Sequence, residues 1–135
     1  MSHAIRVEVF ETGKGLYSNT VTDGRHTLAA DEPAELGGQD TGPNPYEYVA
    51  SGLGACTSIT LRMYADRKGW DVGHIHVVVT HHKDEETKGD VFTRKITFSS
   101  TSLTEESLTR LLEIADKCPV HKTLSHGAEI HTSLA

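Results

Sequence analysis

Apolar and polar residues alternate from Ile5 to Phe10 in the order Ile-Arg-Val-Glu-Val-Phe, the period of a strand with one buried face. Beyond Gly13 and Gly15, a second extended segment runs from Leu16 to Thr22 and meets Asp23-Gly24, a hairpin signal. Arg25 to Ala29 reads as the returning strand, so the chain is expected to open with a β-meander. Residues Asp31 to Pro43 carry Pro33, Gly37, Gly38, Gly42 and Pro43 with no apolar period, which predicts a long loop able to shape a pocket.

The period then changes. Asn44-Pro45-Tyr46-Glu47 is a helix start: Asn44 can cap, Pro45 suits the first helical position and Glu47 can reach back to the capping amide. A helix is expected to about Lys68, with Gly69 as its stop. Val49, Leu53, Cys56, Thr60 and Met63 recur at helical spacing, which places Cys56 in the middle of the expected buried stripe. Gly52, Gly54 and Ala55 surround it with small residues that let another backbone come close. Strands are predicted through His74–Thr80 and Val91–Phe98, with a polar turn from His82 to Asp90 between them. Ser102-Leu103-Thr104-Glu105 reads as a capping box for a helix carrying Leu108, Leu111, Leu112 and Ala115 and ending near Lys117. Pro119 opens a short helix to about Leu124, and a last strand is expected from Ala128 to Ser133. The order β-β-β-α-β-β-α-α-β predicts an α+β fold with a mainly antiparallel sheet, in one domain over residues 1–135.

Charge narrows the partners. The chain has 135 residues and a formal charge of -6 without a Lys/Arg stripe, which argues against nucleic acid and anionic membrane. No segment approaches the roughly 20 apolar residues of a membrane span. Met1 to Arg6 lacks a basic patch followed by an apolar run, so a cytoplasmic protein is expected.

In that compartment two cysteines far apart in sequence suit a redox couple better than a structural staple. Cys56 also fits as a small core hydrophobe. Cys118 lies between two predicted helices, where free amides and a positive helix end favour the thiolate. If the sulfurs converge, one can attack an oxidant and the other can resolve the sulfenic acid to a disulfide. Lys14 and Arg25 on the meander are candidate cations for the thiolate, and Arg62 lies on a different face of the helix from Cys56. Glu47 is a cap partner or a carboxylate that orients an arginine. Nine histidines, His74, His76, His81 and His82 among them, lack partners at recognised zinc spacing. Cys118 with His121, three residues apart, is a weak nucleophile–base pair.

Asp40-Thr41-Gly42-Pro43-Asn44-Pro45-Tyr46-Glu47, the run from Ala50 to Cys56, Leu61-Arg62-Met63-Tyr64-Ala65, and Cys118-Pro119-Val120-His121 together resemble the OsmC/Ohr family, and its bacterial OsmC-like branch most. The likeness covers nearly the whole chain, from the opening strands to Glu129-Ile130-His131. It implies an intertwined homodimer in which two six-stranded sheets wrap central helices, with active sites at the subunit interface. It also implies thiol-dependent reduction of organic hydroperoxides, with Cys56 the peroxidatic and Cys118 the resolving cysteine, a cellular dithiol as reductant, and no metal or organic cofactor. The position after Pro45, where the family's catalytic glutamate falls, holds Tyr46, and Glu47 follows one residue later. Thr12-Gly13-Lys14-Gly15-Leu16 holds lysine where the family's arginine aligns, with Arg25 as a substitute. The contrasting expectation is a module of the same fold that binds a small apolar molecule or senses oxidation without efficient peroxidase activity.

Overall fold

The protein is described by a computed structural model over residues 4–135. Residues up to Val49 form one compact unit and Ala50–Ala135 another. Both sheets are antiparallel, and with three α-helices they give the expected α+β class.

The first unit is the predicted meander: β1 (Glu8–Glu11), β2 (Asn19–Thr22) and β3 (Thr27–Ala30), in that order across the sheet. Pairing begins at Glu8↔Thr22, so Ile5 precedes the strand that its alternation suggested. Asp23 builds the second turn by accepting from the amides of Arg25 and His26, while Gly24 takes the left-handed φ of +95°. Val9, Val21 and Leu28 align across the three strands as one apolar row, of which Val9 and Leu28 are more than half exposed.

The long loop after β3 is tied to itself. Asp31, buried at its neck, accepts from the Thr41 hydroxyl at 2.6 Å, the Thr41 amide and the Glu32 amide, and the Asp31 amide donates to the Pro43 carbonyl. The Thr41 hydroxyl above all holds the Asp31 carboxyl below its ordinary value. Gly42 sits against the Ala29 carbonyl, where a Cβ would lie 2.5 Å from the oxygen. The capping box forms as read: the Glu47 amide donates to Asn44 Oδ1 and the Asn44 amide to Glu47 Oε1. It starts α1 (Pro45–Lys68), which stops at Gly69 with φ +71°.

In the second unit α1 buries Leu53, Thr57, Leu61, Tyr64 and Ala65. This corrects the expected stripe: Val49 and Met63 are exposed and Cys56 lies beside the buried row. Val72, Leu111, Ile114 and Ala115 complete the core with Leu61, Tyr64 and Ala65, and Trp70, Ile75, Ile96, Phe98 and Leu103 pack on it. The hairpin β4 (Ile75–Lys83) and β5 (Asp90–Phe98) has a regular register from Ile75↔Phe98 to Lys83↔Asp90. Gly54 lets β4 approach, since a Cβ there would meet Val79 at 3.3 Å. The cap of α2 (Glu105–Ala115) is Thr104, which accepts from the Ser107 amide, rather than Ser102, whose hydroxyl bonds Ser100. Of the apolar positions of α2, Leu111 and Ala115 are buried, while Leu108 and Leu112 are exposed. α3 runs from Pro119 to His126. The strand expected over Ala128–Ser133 does not form: no other strand pairs with it, and a lone strand leaves its ladder groups to water.

Leu61, fully buried among these groups, is the centre of the core. Leu61→Ala is expected to lower unfolding free energy by about 2–5 kcal/mol, measured by urea denaturation at unchanged slope.

Candidate active site

Three helices of the second unit deliver the thiols. α2 ends at Ala115 with Asp116 as its C-cap, and the Cys118 amide donates to the Ala115 carbonyl at 3.3 Å. Pro119, with no N–H of its own, opens α3 one residue later, so Cys118 becomes the N-cap and its Sγ accepts from the His121 amide at 3.4 Å. Cys118 is fully buried and Cys56, on α1, half-buried. The two thiols lie close enough for each to shift the other's ionisation, and neither is in a disulfide.

Their surroundings differ. Burial pushes the Cys56 thiol up, Cys118 adds to the rise, and the Val120 amide and Thr60 hydroxyl oppose it. Burial also pushes on Cys118, but the Cys56 thiol, the His121 amide, the Thr57 hydroxyl and the Val120 amide together bring it below the ordinary thiol value. The first turn of α3 thus serves both sulfurs, and the two thiols titrate as a pair.

A cation that the sequence reading passed over, Arg94 on β5, lies against the residues that flank the two thiols. Its Nη1 donates to Thr57 Oγ1 and the Ala115 carbonyl, both at 3.0 Å; its Nη2 donates to Asp116 Oδ1 and His121 Nδ1, both at 2.9 Å. Thr57, itself fully buried, donates its hydroxyl to the Leu53 carbonyl at 2.7 Å and lies 4.0 Å from Cys118 Sγ. Because Nδ1 of His121 accepts from the guanidinium, a neutral His121 carries its proton on Nε2. A small cavity of about 220 Å³ beside this group is lined by Leu53, Phe92, Arg94, His121 and Leu124 among others. A signal for Arg94 was present: Phe92, Arg94, Ile96 and Phe98 share the inward phase of β5, whereas Thr93, Lys95 and Thr97 are exposed.

Of the residues chosen from the sequence, Cys56 and Cys118 come together. Glu47 holds the capping box, and Lys14 and Arg25 are exposed on the meander, their amides bonded to Thr12 and Asp23 respectively. Arg62 donates to the Gly73 carbonyl. His81 bonds Asp90 and packs on Phe92, while His74, His76 and His82 are exposed. Among the described residues no three His, Cys, Asp or Glu side chains converge on a point that could hold a metal ion.

An α+β chain with a convergent dithiol at a helix N-terminus defines a class of thiol proteins. The model of the OsmC-like protein family matches residues 38–133, and the chain belongs to that family. No curated protein sequence matches the chain significantly. Solved structures share the fold: an OsmC-like protein from Mycoplasma pneumoniae is 18% identical, with 93% of this chain and 89% of that chain covered at TM-score 0.71. An organic hydroperoxide resistance protein OsmC from Legionella pneumophila is 22% identical, with 90% and 89% covered at TM-score 0.64. The organic hydroperoxide resistance protein OhrB of Bacillus subtilis is 24% identical, with 90% of each chain covered at TM-score 0.60.

Ultraviolet thiolate absorbance across pH is expected to show two separated steps, the first below the ordinary thiol value. Cys118→Ser removes the low step, and Cys56→Ser moves it upward, because Cys118 then keeps its burial and the α3 amides but loses the Cys56 thiol; a low step unchanged in both variants contradicts the coupling of the two thiols.

Proposed function

We propose that the protein reduces organic hydroperoxides through its two cysteines. The single observation that carries this reading is the pairing of Cys56 and Cys118, two free thiols close enough for each to shift the other's ionisation. Hydroperoxide resistance in the names of the Legionella and Bacillus neighbours supports the substrate class.

Cys56, the more accessible thiol, attacks as thiolate the distal oxygen of the hydroperoxide. The S–O bond forms as the O–O bond breaks, and the departing alkoxide takes a proton to leave as alcohol. Cys118 as thiolate then attacks the sulfenic sulfur, the S–S bond forms, and the hydroxyl leaves with a proton as water. A cellular dithiol reduces the disulfide by exchange, and neither metal nor organic cofactor enters the cycle. Burial of Cys118 protects the resolving sulfur from bulk oxidant while the α3 amides keep it ready to attack.

The protein works in this reading as a cytoplasmic homodimer. The half-exposed apolar row on the meander and, separately, the exposed Ile59 and Met63 of the second unit are apolar surfaces of the kind a dimer covers. No helix of the described residues is long and apolar enough to cross a membrane. One observation favours the contrasting reading, a redox-sensing module: burial pushes the Cys56 thiol up and so lowers its thiolate fraction.

Reduced protein with a dithiol is expected to consume cumene hydroperoxide. Cys56→Ser abolishes turnover, and Cys118→Ser stops at a sulfenic acid trapped by dimedone. A disulfide that forms stoichiometrically without turnover would make the protein a sensor instead. Sedimentation velocity is expected to give twice the chain mass of 14.7 kDa, and a monomer at micromolar concentration would overturn the dimer.

A further inference from the structure

The geometry points to Arg94 as the positioning residue that sets the dithiol–disulfide equilibrium of Cys56 and Cys118. This rests on the thiol pair cycling as in the function proposed above, though not on the identity of its oxidant.

Cys118 occupies a short connection between two helices, and Arg94 grips that connection on both sides. Asp116 lies two residues before the cysteine and His121 three residues after it, and a single guanidinium nitrogen, Nη2, bonds both at 2.9 Å. The Ala115 carbonyl accepts from Arg94 Nη1 at 3.0 Å and from the Cys118 amide at 3.3 Å, so one oxygen ties the arginine to the backbone of the thiol residue. The other Nη1 bond reaches Thr57, which directly follows Cys56 on α1. Arg94 is therefore fastened to the neighbour of one cysteine and to both flanks of the other. With only 12% of its side chain exposed, and fixed to β5, it is a rigid strut rather than a surface charge.

A strut of this kind acts on the effective concentration of one thiol at the other. Exchange with oxidised glutathione converts the dithiol to the protein disulfide and releases two reduced glutathiones, the thiol protons passing to the departing sulfurs. Only the intramolecular step depends on how the sulfurs are held. The charge of Arg94 is the lesser influence, because Asp116 neutralises it at 2.9 Å and the Thr57 hydroxyl stands between it and Cys118. Loss of Arg94 leaves no orphaned partner among its buried contacts, since Thr57 still bonds Leu53 and the Ala115 carbonyl keeps the Cys118 amide.

Wild type, Arg94→Met and Arg94→Lys are equilibrated in glutathione buffers, quenched with acid, alkylated and weighed. Both variants are expected to shift toward the dithiol by roughly tenfold in the equilibrium constant, about 30 mV for two electrons, with circular dichroism unchanged. A wild-type constant in Arg94→Met overturns the inference. A shift in Arg94→Met that Arg94→Lys fully restores also overturns it, because charge and not the forked geometry would then be at work. If Arg94→Met does not fold, Thr57→Val and His121→Leu each remove one arm, and unchanged constants in both overturn it. Since no peroxide is present, a shifted equilibrium in a protein that fails to consume hydroperoxide refutes the proposed function and leaves Arg94 in its role. A wild type that forms no disulfide at all refutes both.

Discussion

An arginine withdrawn from water must find an acceptor for every N–H that it brings with it, and in the second unit that demand organises everything near the thiols. Both terminal nitrogens of Arg94 are saturated, two bonds each, by acceptors from α1, the end of α2 and the first turn of α3. Three helices are thereby held in register by one side chain. The hydrophobic core of Leu61, Tyr64, Leu111 and their neighbours supplies the driving force for packing, but it is non-directional. Holding two thiols side by side needs the angular precision of hydrogen bonds.

The helix ends were legible in the sequence because their causes are local. Asn44 and Glu47 close a reciprocal pair within four residues, and Pro119 behind Cys118 forces a helix start whatever surrounds it. Alternation likewise gave β4 and β5. The buried face of α1 was misread because Thr57 rather than Cys56 takes the buried position, and Gly, Ala, Ser and Thr around it blur the apolar period. The last strand was misread for another reason: alternation records a willingness to pair, and pairing needs a second strand that the described chain does not provide.

Half of the candidate site was legible by the same logic. Cysteine is rare enough in this chain that two residues were bound to attract notice, and a proline beside one of them located it at a helix start. Arg94 was hidden among Thr93 and Lys95, where a positive charge on a strand reads as solvated. Its phase with Phe92 and Ile96 assigns it to the inner face, and its meaning came only from residues 21 and more positions away that meet it there. The family resemblance put the candidate cations on the N-terminal meander, at Lys14 and Arg25, whereas Arg94 stands on a strand phase that ought to be apolar.

Cys118 is the N-cap of α3 and, in the proposed cycle, the resolving sulfur as well, which would couple chemistry to secondary structure. A thiolate accepts the His121 amide as a charged partner, roughly twice as strongly as a neutral sulfur does, so the helix end is firmest when Cys118 is ionised and weaker once the sulfur is in a disulfide. α3 buries none of its residues completely, which leaves its cap a large share in holding it. Linkage makes the relation reciprocal: whatever grips α3 must favour the reduced sulfur, and whatever loosens it must favour the oxidised one. In the proposed cycle the eight residues of α3 would therefore register whether their capping sulfur is thiolate or disulfide.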